Sequence, residues 1–168
     1  AGFSYDLDQK REEIYSHIGA YVNSERFSRV IAVDINQNTL SKVKEAFPGV
    51  KTYLSTETMF ENENVDVLSI ATGIQQREDL TSLACDNNVK AIFCEKPIAH
   101  NLDTAQKIID MCKQKNISLA VNHFRRWDQL NSEIRDFVKS DRFGEIQNIT
   151  VKYNNGIFNT GSHIFDLI

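Results

Sequence analysis

The chain has 168 residues, 41% hydrophobic and 25% charged, an ordinary balance for a globular protein with enough apolar side chains to build one core. Its formal net charge of -4 offers no basic field to nucleic acid or an anionic membrane, and no apolar run approaches the ~20 residues of a membrane span. The opening Ala1-Gly2-Phe3-Ser4-Tyr5-Asp6 lacks the basic and apolar segments of a signal peptide, and Cys85, Cys94 and Cys112 fit neither a zinc pattern nor a disulfide framework, so they read as reduced thiols of a cytoplasmic protein.

Residues 1–15 contain no strand-like run; beyond them, strand and helix patterns alternate. Tyr15–Val22 reads as an amphipathic helix, with Ile14, Ile18 and Tyr21 or Val22 turned inward. The continuous apolar run in Arg29–Ile35 predicts a strand ending at Asp34. Asn36 or Asn38 can then cap a helix with Leu40, Val43, Ala46 and Phe47 on one face, stopped by Pro48-Gly49. A short strand over Val50–Leu54 and a helical turn over Thr56–Asn62 follow. Val65–Ala71 is the next buried strand, then a helix over Gln76–Asp86 with Leu80, Leu83 and Ala84 inward.

The stretch Val89–His100 organises the chain. Val89, Ala91, Ile92, Phe93 and Cys94 read as a strand buried on both faces, which then meets Glu95 and Lys96, charges that cannot stay buried unpaired. Pro97 has no N–H and ends the ladder. Asn101 and Asp103 open a helix with Ala105, Ile108, Ile109 and Cys112 on one face. Ile117–Val121 is a strand leading to Asn122-His123. Leu130, Ile134, Phe137 and Val138 mark another amphipathic helix. Glu145–Tyr153 alternates as a half-exposed strand does, and Gly156–Ile168 is a loop running into a helix.

This alternation predicts an α/β fold with a doubly wound parallel sheet, and right-handed crossovers place all the strand carboxyl ends along one edge. Asp34, Thr72, Glu95-Lys96 and Asn122-His123 all sit at such ends, where open α/β sheets bind ligands. A carboxylate placed like Asp34 can accept both ribose hydroxyls of an adenosine and repels a 2′-phosphate; its plainer alternative is a helix cap. A methyltransferase would use an acidic residue in the same place, so Asp34 argues for adenosine, not for a reaction. The glycine-rich turn G-x-G-x-x-G of a dinucleotide fold does not follow any strand here.

Five segments in order carry a resemblance. Cys94-Glu95-Lys96-Pro97 resembles the E-K-P motif of the glucose–fructose oxidoreductase/inositol dehydrogenase (Gfo/Idh/MocA) family. Ser16-His17-Ile18-Gly19-Ala20 resembles its H-x-x-A helix, and Ala71-Thr72-Gly73 its A-T-P turn with Gly73 replacing Pro. Asn122-His123-Phe124-Arg125-Arg126-Trp127 resembles N-x-R-(R)-[FW], and Asn159-Thr160-Gly161-Ser162-His163-Ile164-Phe165-Asp166 resembles D-x-G-x-H-x-x-D. The departures are Asn159 where the family often has Asp, Gly73 for Pro, and Arg77 near a place where the family often has His.

The resemblance implies a Rossmann-like NAD(P)-binding domain over residues 1–123, lacking its first strand and glycine-rich turn, and over 124–168 the beginning of a C-terminal α/β substrate and oligomerisation domain. The chain reads as a fragment clipped at both ends, and the first family strand would stand between Arg29–Ile35 and Val65–Ala71, which should therefore not pair directly. The resemblance further implies an oxidoreductase that transfers a hydride between NAD, in preference to NADP, and a CH–OH or keto carbon of a sugar, sugar nucleotide or cyclitol. Lys96, His163 and Asn159 become the catalytic candidates: Lys96 to hydrogen-bond the reacting oxygen, His163 to accept its proton and Asn159 to orient the imidazole. Asp34, Thr72, Glu95, Lys96, Asn122 and Trp127 become the cofactor-binding candidates, and a cis Lys96–Pro97 bond would turn Lys96 over the sheet edge. No metal role falls to His17, His100 or His123, whose spacing is not that of ligands. The expected partners are a sugar-like small molecule and further copies of the chain, with no nucleic acid or membrane. Two competing readings stand beside this one: a non-catalytic dinucleotide-binding sensor or scaffold, favoured by Asn159, and an S-adenosylmethionine-dependent methyltransferase, which leaves Lys96 without a role.

Overall fold

The structure, a computed structural model, describes residues 14–140, 142 and 144–168; the readings of residues 1–13 lie outside the described residues. Helix α1 (His17–Val22) begins on Ser16, whose hydroxyl accepts from the Gly19 N–H. Strand β1 (Ile31–Val33) leads to α2 (Gln37–Ala46), and β2 (Lys51–Tyr53) to α3 (Thr56–Asn62). Strand β3 (Val67–Ile70) is followed by a 3-10 turn over Ile74–Gln76 and α4 (Arg77–Asp86). Strand β4 (Ala91–Glu95), α5 (Leu102–Gln114) and β5 (Ser118–Asn122) complete the alternation. A 3-10 turn at Phe124–Trp127, α6 (Gln129–Lys139), a π-turn at Ile157–Gly161 and α7 (Ser162–Leu167) follow.

Local chemistry sets these boundaries. Asn36, Ser55, Asn101 and Asp128 each accept from a backbone N–H of the first turn they cap, relieving donors that have no partner inside the helix. Beyond the carboxyl ends of α4 and α5, Asn88 and Asn116 take positive φ of 56° and 55°, the left-handed conformation that asparagine tolerates best after glycine.

All strand pairs are parallel. Ala32 pairs with Thr52 in the two-stranded sheet β1-β2; Ser69 pairs with Phe93 and Phe93 with Ala120 in the three-stranded sheet β3-β4-β5. β1 and β3 do not pair, as the sequence predicts. Between them runs a cleft of about 720 Å³ lined by Ile31, Val33 and Asp34 on one side and Leu68, Ile70 and Thr72 on the other. No described strand takes up the edges of β1 and β3 that face it.

The core lies on one face of the larger sheet. Ile70, Ile92 and Cys94 point into it and meet Ala84 and Cys85 of α4, Cys112 of α5, and Val89 and Ile117. β4 is buried on that face alone: Ile92 and Cys94 are 1% exposed, while Ala91 and Phe93 on the other face are half-buried, so the expectation of burial on both faces is corrected. Phe93 instead packs against the His17 ring at 5.1 Å and the Trp127 ring at 6.2 Å. Burial pushes the Cys94 and Cys112 thiols up to about 11, which leaves them inert packing groups. In the smaller sheet the buried Glu63 carboxylate, after α3, accepts from Tyr53 Oη at 2.6 Å and pairs with Lys51 Nζ at 2.5 Å and Arg29 Nη1 at 3.0 Å, tying β2 to α3.

Several expectations differ in detail. Ile14 and Val22 are exposed, and so is Ala46, leaving Leu40 and Val43 as the buried residues of α2. Glu145–Tyr153 is not a strand; residues 144–154 are irregular, with Ile146, Ile149, Val151 and Tyr153 exposed. Alternation makes a stretch competent to be a strand, but a ladder needs a neighbour, and no described strand runs beside it. For the same reason Leu130, Ile134 and Phe137 give α6 its amphipathic pattern yet remain exposed.

Replacing Ile92 with Ala removes the buried centre of β4. We expect a stability loss of about 2–5 kcal/mol, seen as a lower denaturant midpoint with an unchanged slope.

Candidate active site

The carboxyl ends of β3, β4 and β5 converge on Glu95. This half-buried carboxylate accepts at Oε1 from His17 Nε2 of α1 at 2.8 Å and from Asn122 Nδ2 of β5 at 2.8 Å. Burial works to raise its pKa, but the hydrogen bonds from His17 and Asn122, the attraction of the His17 ring and the Lys96 N–H outweigh it and hold Glu95 at about 2. His17 is fixed in turn, its Nδ1 hydrogen-bonded to Ser69 Oγ on β3.

Lys96 leaves the strand in the other direction. The Lys96–Pro97 bond is cis, as expected. The Lys96 ammonium donates to the side-chain oxygen of Asn159 at 2.9 Å and to its carbonyl at 3.1 Å. Burial lowers the Lys96 pKa; Glu95 opposes this, while the cations Arg125 and Arg77 add to it.

His163, in the first turn of α7, is 6% exposed. Its ring meets Phe124 edge-on at 5.0 Å and His123 at 5.9 Å, and its Nδ1 is buried with no hydrogen-bond partner among the described residues. Burial lowers its pKa, and Lys96, Arg125 and His123 lower it further against the pull of Asp166, which favours the neutral imidazole. Lys96, Asn159 and His163 thus share one neighbourhood, but Asn159 bonds Lys96 and not the imidazole, so the expectation that it orients His163 is corrected: its amide oxygen is taken by the ammonium. α7 reaches this neighbourhood because Arg126 grips both Asp166 oxygens, with Nε to Oδ2 at 3.2 Å and a second bond from Nη2 to Oδ1, clasping the turn after β5 to the helix. A Cβ on Gly161 would stand 3.0 Å from the Tyr153 ring, so the close approach before His163 favours glycine.

The other candidates lie around this cluster. Asn122 is part of it through Glu95. Trp127 is 59% exposed on the 3-10 turn beyond Phe93. Thr72 and Asp34 stand on opposite walls of the cleft between β1 and β3, apart from Lys96. Asp34 does not cap α2, a task done by Asn36; its Oδ1 accepts from the Asn36 N–H at 2.8 Å, and its second oxygen has no partner among the described residues. That leaves one carboxylate oxygen for ribose hydroxyls in an open cleft at the strand ends, so the donors and acceptors present fit the adenosine end of a dinucleotide.

Sequence reasoning missed two residues. From the sequence, His17 is a motif residue with no metal role, and Arg77 is a departure from the family pattern. Arg77 is 6% exposed and donates to three carbonyls: Nη1 to Glu95 at 2.6 Å and to Pro97, and Nη2 to Thr72 at 3.1 Å. The signal that could have found it is its position, since a cation in the first turn of a helix opposes the macrodipole and needs another reason to be there.

The model of the oxidoreductase family with an NAD-binding Rossmann fold, GFO_IDH_MocA, matches residues 14–123. The chain belongs to that family. An uncharacterized oxidoreductase of Schizosaccharomyces pombe is 29% identical over 109 residues, covering 65% of this chain and 29% of the relative. Myo-inositol 2-dehydrogenase of Thermotoga maritima is 26% identical over 112 residues, covering 67% of this chain and 33% of the relative. Among solved structures, the WlbA dehydrogenase from Bordetella pertussis, in complex with NADH and UDP-GlcNAcA, superposes with a TM-score of 0.77 at 22% identity, covering 90% of this chain and 52% of that one, a likeness of fold. The chain spans about a third of the length of the curated relatives it matches. Family membership displaces the methyltransferase reading, which also has no use for Lys96.

His17→Ala or Asn122→Ala removes a donor from Glu95. Each should raise the Glu95 pKa from about 2 toward the ordinary carboxylate range, read by carbon-13 NMR of the labelled carboxyl. Because the folded value is depressed, the matching stability is present above the unfolded value of about 4.3 and lost as pH falls toward 2; both variants should narrow that acid-sensitive window.

Proposed function

We propose that the full protein is an NAD-dependent dehydrogenase acting on a CH–OH or keto carbon of a sugar, sugar nucleotide or cyclitol. The observation that carries this reading is the gathering of Lys96, Asn159 and His163 beside Glu95 at the end of β4. The nicotinamide ring, when bound, supplies the hydride acceptor. Lys96 Nζ donates to the reacting oxygen and stabilises its developing negative charge. His163, in its neutral form, takes the hydroxyl proton as the carbon–hydrogen bond gives up its hydride, leaving a carbonyl. Asn159 holds Lys96 in place until substrate arrives. Glu95, charged and fixed, sets the orientation of Asn122 at the nicotinamide side, with Thr72 and Trp127 flanking the cofactor and Asp34 receiving its adenosine ribose. The relatives, a myo-inositol 2-dehydrogenase and a D-apiose dehydrogenase of Rhizobium rhizogenes among them, support the polyol and sugar class.

This reading takes residues 1–123 as the cofactor domain and 124–168 as the start of a substrate and oligomerisation domain, in a cytoplasmic homo-oligomer. The exposed apolar residues of α6 and of 146–153 support a further covering surface there. Asn159 favours a second reading, a dinucleotide-binding sensor without turnover: it is an amide engaged by Lys96, and the buried His163 Nδ1 has no carboxylate partner among the described residues to hold imidazolium charge. Formation of NADH from NAD with a panel of polyols and sugars separates the two.

Lys96→Met and His163→Ala should each lower kcat about 10²–10⁴-fold with NAD affinity nearly unchanged. The kcat/KM profile should be bell-shaped, its acid limb below the ordinary histidine value of about 6.5 and its alkaline limb below the ordinary lysine value of about 10.4. Parent-like kcat in both variants contradicts the assignment.

NAD should bind more tightly than NADP, because a 2′-phosphate meets the Asp34 carboxylate; tighter binding of NADP in a direct titration contradicts this.

A further inference from the structure

We propose that Arg77 is the positioning residue of this site: by gripping the carbonyls of Thr72, Glu95 and Pro97 it fixes the turn from which Lys96 presents its ammonium. The proposal rests on the hydride-transfer reading above. The three acceptors belong to two strand ends. Thr72 follows β3, and Glu95 and Pro97 flank Lys96 on either side. Holding the carbonyls before and after Lys96 leaves its backbone one arrangement, and holding Thr72 ties that arrangement to the wall of the cofactor cleft. The ladder pairs end at Ile70–Cys94 and Glu95–Asn122, so carbonyls at and beyond these ends take donors from outside the strands.

Guanidinium suits the task because its donors fan out in one rigid plane. A lysine ammonium at the same place is a single point and cannot span both strand ends. Arg77 is buried, and all three acceptors are neutral, with no carboxylate within ion-pair distance among the described residues. Its charge is therefore left to act on its surroundings. The charged and titratable groups around the Lys96 ammonium are Glu95 on β4, Arg77 on α4, Arg125 on the turn after β5 and His163 on α7. Glu95 favours the protonated ammonium, and the two arginines disfavour it.

The test uses Arg77→Lys and Arg77→Ala in the full-length protein, reading kcat, KM, direct NAD affinity, thermal midpoint and the pH profile. Both variants should lose about 10²-fold in kcat, the scale of an ångström-level misplacement, with little change in NAD affinity. The alkaline limb should move up in Arg77→Ala, which loses the neighbouring cation, and stay near the parent's in Arg77→Lys. Guanidinium added to Arg77→Ala should restore part of the lost kcat, and ammonium should not. A lowered thermal midpoint with parent kcat and an unmoved alkaline limb overturns the proposal, since that is all a merely structural arginine would do. Should Arg77→Ala fail to fold, parent-like kcat in Arg77→Lys overturns it equally. If the parent forms no NADH from any polyol, the hydride-transfer reading fails by itself. The Lys96 signal of reductively carbon-13-methylated protein then decides for Arg77: an upward pKa shift in Arg77→Ala supports it, and an unmoved titration overturns it.

Discussion

The site depends on one interaction, the charged Glu95 carboxylate held at the end of β4. A strand that delivers a carboxylate into a half-buried position must supply its partners, because desolvating an ion costs several kcal/mol. Two side-chain donors meet Glu95, from His17 and Asn122, and the Lys96 N–H adds to them. Together they outweigh the effect of burial, which alone would raise the Glu95 pKa. The side-chain donors come from α1 and β5, and His17 is anchored on Ser69 of β3. One carboxylate thereby sets the relation of four elements, and Lys96 is placed by the residue before it.

Around this fixed anion the site is rich in cations. Arg77 and Arg125 press on Lys96, and Lys96 and Arg125 press on His163. Burial and these cations together favour the neutral form of His163 and make Lys96 a more acidic ammonium than a free lysine, which suits the two roles proposed for them. In the proposed reaction the His163 shift keeps its proton-accepting form populated, and the cations around Lys96 steady the negative charge that develops on the oxygen. Asn159 fits this field, since it accepts from Lys96 without adding a negative charge that would raise both pKa values.

Much of the fold was legible because local signals agreed. The helix over Thr56–Asn62 lies where the sequence puts it, Asn101 caps α5, and the polar residues at the ends of β3, β4 and β5 gather at one edge of the larger sheet, with Asp34 at the end of β1 across the cleft. The lack of pairing between β1 and β3 was legible too, from where the glycine-rich turn ought to be. What failed was everything decided by a neighbour. Glu145–Tyr153 alternates but has no strand to pair with, and Phe93 belongs to an apolar run but faces His17 and Trp127. At the site, motif positions pointed to Lys96, Asn159 and His163, which do come together. Arg77 and His17 were illegible as partners because the contacts that tie them to β4 are distant in sequence: Glu95 and Pro97 lie 18 and 20 residues from Arg77, and Glu95 lies 78 residues from His17. The Arg126–Asp166 clasp spans 40 residues and could not be read from either motif alone.

The central claim is that hydride passes between a carbinol carbon and NAD at this edge. The most direct measurement is isotopic: the full-length protein with NAD and a panel of polyols deuterated at the carbinol carbons, followed by proton NMR of the nicotinamide C4 position. The account predicts one deuterium transferred to C4 from at least one polyol, and none when Lys96 is replaced by Met. Tight NAD binding with no deuterium transfer from any member of the panel contradicts it.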